Sequence, residues 1–276
     1  MNLITLSQTN PDYIELIQLT DTHIFANPET TFDGIDSSQS LQQVINLAQN
    51  KHWPPDAVLV TGDLVHDPEP KAYGRLAEIL KTIKLPVFCI PGNHDDPALM
   101  RQILNHANIS TPRTILFDNW MILMLDTFLP GTHAGKLDEN ELQYLDEQLN
   151  TYKNKHALVC LHHPPVSINS PWMDKMSLHN PEELFSVLDK HQQVRAVLWG
   201  HIHQEFNSMH KDVQLMATPS TCVQFMPGVD HYTKDNQTAG YRHLKLFNSG
   251  ELQTKVARLE PISKLNPLSL DGRGIG

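Results

Sequence analysis

The sequence predicts an α/β fold with a mainly parallel sheet, and three observations predict it. Short apolar runs alternate with stretches of helical periodicity between residues 13 and 200, which is the pattern of βαβ units. Beyond residue 200 the apolar runs come in pairs around short polar turns, an antiparallel pattern. Five groups of Asp, Asn and His each follow directly on an apolar run, and the carboxyl edge of an open α/β sheet is where ligands bind.

The elements follow in order. Residues 13–20 read as a strand and residues 57–61 as a short buried one. Residues 87–91, 121–126, 156–161 and 194–200 read likewise. Between them, residues 37–49 place Leu41, Val44, Ile45 and Ala48 on one helical face, and residues 71–83 do the same with Leu76, Ile79, Leu80 and Ile83. Asp138-Glu139-Asn140-Glu141 resembles a capping box ahead of Leu142, Leu145 and Leu149. Asn180-Pro181-Glu182-Glu183 offers an N-cap, a Pro at the first position and a Glu at the third. Residues 205–210 and 213–217 flank Lys211-Asp212, and residues 241–247 and 252–259 flank Asn248-Ser249-Gly250, so both pairs read as hairpins. Periodicity stops at Pro261. Residues 1–260 therefore read as a single domain and residues 261–276 as a mobile tail.

Composition excludes several classes of function. The 276 residues carry a net charge of −10, which repels nucleic acid phosphates and argues against a polynucleotide-coating role. A small phosphate ester is compatible with that charge if local cations reverse the field. Cys89, Cys160 and Cys222 have no close spacing and read as reduced structural thiols. Neither a signal peptide nor an apolar stretch of the roughly 18 residues that a membrane span needs is visible, so a cytoplasmic location is expected.

The five polar groups carry the chemistry. Asp21-Thr22-His23, Gly62-Asp63, Gly92-Asn93-His94-Asp95, His162-His163-Pro164 and Gly200-His201-Ile202-His203 each stand at the carboxyl end of an apolar run. Alone, the first is as easily a turn, the third an ordinary Pro-Gly turn signal and the last a strand face. Together, from five separate strands, they point to one place. Two carboxylates, an amide and several imidazoles without a thiolate suit iron, manganese or zinc rather than an Fe–S cluster. Seven ligand groups exceed what one ion takes and suit two ions sharing a carboxylate.

Asp-x-His, Gly-Asp, Gly-Asn-His-Asp, His-x-Pro and Gly-His-x-His, in that order, resemble the calcineurin-like metallophosphoesterase family. The match spans residues 21–203. It implies a four-layer αββα sandwich of two mixed sheets flanked by helices, with the later hairpins in the second sheet. Leu19 to Ala26, Gly34-Ile35-Asp36-Ser37, Gly200 to Glu205 and, most specifically, Ala217 to Phe225 resemble the bacterial class III cyclic-AMP phosphodiesterases. That resemblance implies hydrolysis of 3′,5′-cyclic AMP to 5′-AMP. A broader phosphodiesterase, nucleotide pyrophosphatase or phosphomonoesterase on the same metal core is the alternative.

The family pattern implies roles for individual residues. One metal is held by Asp21, His23, Asp63 and His203, and the other by Asp63, Asn93, His162 and His201. Asp63 then bridges two cations about 3.5–4 Å apart, and a hydroxide between them is the nucleophile. Iron and manganese are the expected metals, with zinc as an alternative. His94 hydrogen-bonds the phosphate and protonates the leaving alkoxide, a task suited to an imidazole. Asp95 is expected to orient a histidine, and His163 is either such a partner or a packed core residue. Purple acid phosphatases carry a Tyr three residues after the bridging Asp; His66 stands there in this sequence, so no tyrosinate–iron site is expected. The remaining histidines, such as His52, His106, His179 and His191, read as surface residues. Ser220, Thr221, Gln224 and Phe225 are the candidates to contact ribose and base, together with Asn93 and His94 at the phosphate. The alternative for the 218–225 loop is that it braces the second sheet. The partner expected is a small cyclic nucleotide, with neither nucleic acid nor membrane, and the family admits a homodimer.

Overall fold

A computed structural model describes residues 3–261. In it the apolar runs become strands with both faces buried. Strand β2 (Tyr13–Leu19) turns Ile14 and Leu16 to one core and Ile17 and Leu19 to another. Its parallel neighbours β3 (Ala57–Thr61) and β4 (Val87–Ile90) divide their side chains in the same way. Burial on both faces is why these strands read as unbroken apolar runs instead of alternating ones. The short β5 (Ile109–Ser110) closes that edge. On the other side β12 (Gly240–Phe247) and β13 (Leu252–Arg258) add antiparallel, giving the order β13-β12-β2-β3-β4-β5.

A second sheet contains β1 (Leu3–Thr5), β6 (Thr114–Leu116), β7 (Trp120–Met124), β8 (His156–Cys160), β9 (Val194–Trp199), β10 (Phe206–His210) and β11 (Val213–Ala217), in the order β1-β6-β7-β8-β9-β11-β10. Its β7, β8, β9 and β11 are parallel. Both expected hairpins form, but not in one sheet. The 206–217 pair joins β9, and the 240–258 pair joins β2. The turn chemistry sets each hairpin, whereas its sheet is set by a strand far away in sequence.

Three cores separate four layers. Ile14, Leu16, Leu59 and Phe88 of the first sheet meet Ile122, Leu158, Leu198 and Met216 of the second. Helices α1 (Ser37–Lys51), α2 (Pro70–Lys81) and α3 (Pro97–Leu104) cover the outer face of the six-stranded sheet with Leu41, Val44, Leu76, Leu80 and Met100. Helices α4 (Glu139–Thr151), α5 (Pro171–Asp174) and α6 (Pro181–Leu188) cover the seven-stranded sheet with Leu145, Leu149, Met173 and Leu184. This is the expected αββα sandwich. Truncating Leu16 or Leu158 to Ala in the inter-sheet core would cost about 2–5 kcal/mol.

Caps fix the helix starts. Asp36 accepts from Gln39 N, Asp96 from Ala98 N and Leu99 N, and Asp138 from Glu141 N. Asn180 takes the N-cap position of α6 with Pro181 after it, as expected, but its side chain makes no cap hydrogen bond. Its amide instead clasps the Leu137 peptide, accepting from Leu137 N at 3.1 Å and donating to Leu137 O at 2.8 Å. His191 is a correction. It is buried and holds Asp146 at 2.7 Å, because it lies where the end of α6 meets α4. Of the expected 261–276 tail, residues 262–276 lie outside the described residues.

Candidate metal centre

The carboxyl ends of β2, β3 and β4 in one sheet and of β8 and β9 in the other meet above the inter-sheet core. The backbone there is strained. Asp21, His23, Asp63, His201 and His203 have φ of 53°, 44°, 48°, 67° and 51°, a left-handed conformation costing a non-glycine residue roughly 1–3 kcal/mol each. Such outliers persist where the surroundings impose them, and here they coincide with the candidate ligands. Space is cleared by glycine: a Cβ at Gly92 would collide with Asp63 Oδ1 and stand 2.7 Å from His162 Nε2.

The side chains converge. His23 Nε2 and His203 Nε2 are 3.1 Å apart. His203 Nε2 is 3.4 Å from Asp21 Oδ1, and His23 Nε2 is 3.7 Å from Asp63 Oδ2. The other Asp63 oxygen is 3.3 Å from His162 Nε2, so Asp63 stands between two groups of donors. Asp21, His23 and His203 form one group whose donor atoms lie within 4.8 Å of one another; His162, His163 and His201 form another.

Hydrogen bonds from behind aim the imidazoles. His162 Nδ1 donates to Thr61 O at 2.8 Å, His203 Nδ1 to Val223 O at 2.7 Å and His94 Nδ1 to His66 O at 2.7 Å. A carbonyl only accepts, so each ring is left with Nε2 for the site. Burial holds His23 and His201 well below the ordinary histidine value, which keeps them neutral, the metal-binding form. His162 goes the other way: burial opposes protonation, but Asp63 outweighs it and pushes the ring up to about 9. Burial would raise Asp63 in turn, yet His162, His94 and His23 hold it well below the usual carboxylate range.

These residues fit a divalent metal centre. Asn93 Oδ1, His162 Nε2, His163 Nε2 and His201 Nε2 are buried without a hydrogen-bond partner. Unsatisfied buried polar atoms are rare and costly, and four gathered at one edge call for cations. The donors are imidazole, carboxylate and amide, with no thiolate among them. Cys222 is buried elsewhere against Ser37 and its thiol is pushed up to about 11 by burial.

Beside the cluster lies a cavity of about 260 Å³. Asp63, Asn93, His94, His201, His203 and His23 form its polar end, and Phe32, Trp172, Met173, Met176, Phe225 and Tyr232 form the rest with His133. His133 was not singled out in the sequence. It follows β7, the one expected strand without an assigned polar group, and its Nδ1 is 3.1 Å from Asn93 Nδ2.

Several expected roles are corrected by geometry. Asp95 orients no histidine. Its carboxyl accepts from Gly92 N at 2.8 Å, Leu64 N at 3.1 Å, Val65 N at 3.4 Å and Tyr73 OH at 3.0 Å, joining the Asp63 loop to the Asn93 loop. Ser220, Thr221 and Gln224 do not line the cavity. Ser220 Oγ donates to Asp21 O at 2.8 Å, Thr221 N donates to Thr20 O at 3.1 Å, and Gln224 Nε2 donates to Ser220 O at 2.8 Å. Thr218 belongs to a buried chain in which Arg242 donates to Thr218, Thr218 to Gln18, and Gln18 to Thr61. Of the four residues expected at ribose and base, Phe225 alone lines the cavity, with its ring stacked on His203 at 3.9 Å. The segment is tied to the Asp21 turn at the end of β2, whereas the alternative reading of its sequence has it bracing the second sheet. His163 is fully buried, its Nδ1 2.7 Å from Thr127 Oγ1 and its ring beside His201. His66 stacks on Phe25. His106 and His179 are exposed as expected, while His52 is half-buried against Tyr241 OH.

Two packed sheets with this donor set at their shared edge define a metal-dependent phosphoesterase architecture, and comparison agrees. Residues 14–205 match the calcineurin-like phosphoesterases, and the chain belongs to that family. It is 37% identical to the 3′,5′-cyclic adenosine monophosphate phosphodiesterase CpdA of Haemophilus influenzae over 92% of this chain and 93% of that one. It is 37% identical to CpdA of Escherichia coli K12 over 94% of both, and 35% identical to a Nostoc 3′,5′-cyclic-nucleotide phosphodiesterase over 89% and 92%. Among solved structures, a dimetal phosphatase from Danio rerio covers 90% of this chain and 100% of its own, with a TM-score of 0.59 at 14% identity. That likeness shows the fold alone. Among the described residues no helix is long and apolar enough to cross a membrane.

Proposed function

We propose that this chain hydrolyses 3′,5′-cyclic AMP to 5′-AMP at a two-metal centre, and so lowers cellular cyclic AMP in the cytoplasm. The observation that carries the reading is the place of Asp63, between two groups of imidazoles and at the polar end of a cavity of about 260 Å³. Relatives named as cyclic-AMP phosphodiesterases along nearly the whole chain support the substrate. Asp21, His23, Asp63 and His203 hold one cation; Asp63, Asn93, His162 and His201 hold the other. Iron and manganese suit these donors, with zinc next. Bound there, the cations supply Lewis acidity toward phosphate oxygens and bring the pKa of bound water toward neutrality.

The chain's own residues do the rest. Asn93 and His94 meet the phosphate. Water adds to phosphorus and releases one proton to solvent as the bond from phosphorus to the 3′-oxygen breaks, and the 3′-oxygen takes up a proton. His94 delivers it from Nε2, since Nδ1 is engaged by His66 O. The aromatic end of the cavity excludes water from the sugar and base.

The test is a substrate panel of cyclic AMP, cyclic GMP, 2′,3′-cyclic AMP and bis-p-nitrophenyl phosphate, run on wild type and Asp63→Ala. Turnover of cyclic AMP that Asp63→Ala abolishes together with bound metal is expected. Good turnover of the generic ester with only background on cyclic AMP would replace this reading with the broader phosphodiesterase.

A further inference from the structure

The end of the cavity away from the metal donors is built by three loops that share no strand. Phe32 comes from the loop before α1, Trp172 and Met176 from α5 and the turn after it, and Phe225 and Tyr232 from the segment before β12. The loops are tied to one another. Tyr232 OH donates to Asp33, Lys234 Nζ donates to Asp33 O at 2.8 Å, and Ser170 Oγ donates to Val229 O at 3.0 Å. Trp172, Phe225 and Tyr232 pack mutually edge to face, with centroids 5.3–5.7 Å apart. That arrangement fixes the rings without needing a ligand.

The rings are not equally available. Phe225 is 7% exposed and has one face covered by His203. Tyr232 is 42% exposed and Trp172 is half-buried. Phe32 is also half-buried but lies against His23 and His66, so the aromatic surface farther from the metal donors belongs to Trp172 and Tyr232. The Trp172 Nε1 is also buried without a hydrogen-bond partner, while the Tyr232 hydroxyl is already engaged by Asp33.

We infer that Trp172 and Tyr232 form a stacking subsite for the nucleobase. This rests on the phosphate binding at the metal end, as proposed above. The occupant is a heterocyclic base because the lining is aromatic and continuous with the phosphate site, with one ring free to stack and the other set against the base edge-on. Stacking recognises any base through its π-face, and the engaged Tyr232 hydroxyl leaves little with which to read a base edge. The subsite thus demands a base but barely distinguishes adenine from guanine. Thr218–Phe225, the segment most similar to the cyclic-AMP enzymes, contributes support to this subsite rather than specificity.

The test compares equilibrium binding of 5′-AMP, 5′-GMP and ribose 5-phosphate by calorimetry on the metal-loaded protein. Wild type is expected to bind both nucleotides about 5- to 100-fold more tightly than ribose 5-phosphate, and within tenfold of each other. Trp172→Ala should bring the nucleotide-to-ribose-5-phosphate ratio toward one, Tyr232→Ala should lower it, and Trp172→Phe should keep most of it. Equal binding of AMP and ribose 5-phosphate by wild type, or an unchanged ratio in Trp172→Ala, would overturn the subsite. A wild type that favours AMP in this way yet does not turn over cyclic AMP would overturn the proposed reaction and leave the subsite standing.

Discussion

Replacing Asp95 should loosen the metal centre without touching a ligand. The side chain is 2% exposed and accepts four hydrogen bonds, three from backbone N–H groups of the Asp63 and Asn93 loops and one from Tyr73 OH. Asp95→Ala strands all four donors. Each unsatisfied buried donor costs about 1–3 kcal/mol. Loop relaxation and water entry offset part of that sum, so a net loss of about 3–5 kcal/mol is expected. For a chain of this size that is a fall in Tm of about 10 °C. Asp95→Asn should be milder. Burial, with Asp63 next, pushes the Asp95 carboxyl up to about 7, so a neutral amide imitates its protonated form. With its oxygen toward Leu64 N and Gly92 N, the amide sacrifices only the long bond from Val65 and the sense of the Tyr73 bond. Thermal melting and metal-binding calorimetry check both variants. Asp95→Ala should also bind metal about 10- to 100-fold more weakly. An Asp95→Ala protein melting within 2 °C of wild type, with unchanged metal affinity, would refute the claim that this carboxyl holds the two loops together.

Three further outcomes are expected. His94→Ala should retain its metals and lose about 10²–10⁴-fold in rate on cyclic AMP, but much less on bis-p-nitrophenyl phosphate, whose leaving group needs no proton; equal losses would make His94 a phosphate binder only. Ser220→Ala removes the bond to Asp21 O and should weaken metal binding about tenfold; intact metal affinity with a raised KM for cyclic AMP would make Ser220 a pocket residue after all. Burial holds both His52 and His243 below the ordinary histidine value, so the unfolded chain takes up their protons first, and the stability they contribute is complete above about pH 6.5 and lost as pH falls below it. Wild-type Tm should drop between pH 7.5 and 5.5 more steeply than that of His52→Gln, and parallel slopes would contradict this assignment.

The ligand groups were legible because two local signals coincide in each: an apolar run buried on both faces, and a metal-binding residue type at its carboxyl end. Asp21, Asp63 and His162 need nothing more to be placed at one edge. What decides the rest is tertiary. Asn180 carries a capping signature, but the Leu137 peptide competes for its amide and wins. Residues 206–217 announce a hairpin, yet only the pairing of β11 with β9 assigns its sheet. Ser220, Thr221 and Gln224 have the chemistry of ribose contacts. Their inward direction follows from how their loop packs on the Asp21 turn, which no periodicity in 218–225 reveals. Trp172 and Tyr232 lie in irregular loops, where exposure and the neighbouring ring are set by chain segments far apart in sequence.

Seven side chains from two sheets are proposed to hold two cations that act together on a cyclic nucleotide. Metal titration into chelator-treated protein, with 5′-AMP formation from cyclic AMP followed at each addition, separates this arrangement from a one-metal or metal-free site. Activity should be absent without metal, rise through the additions and level off at two equivalents per chain. Full activity at one equivalent, activity without metal, or a two-metal protein that forms no 5′-AMP would contradict it.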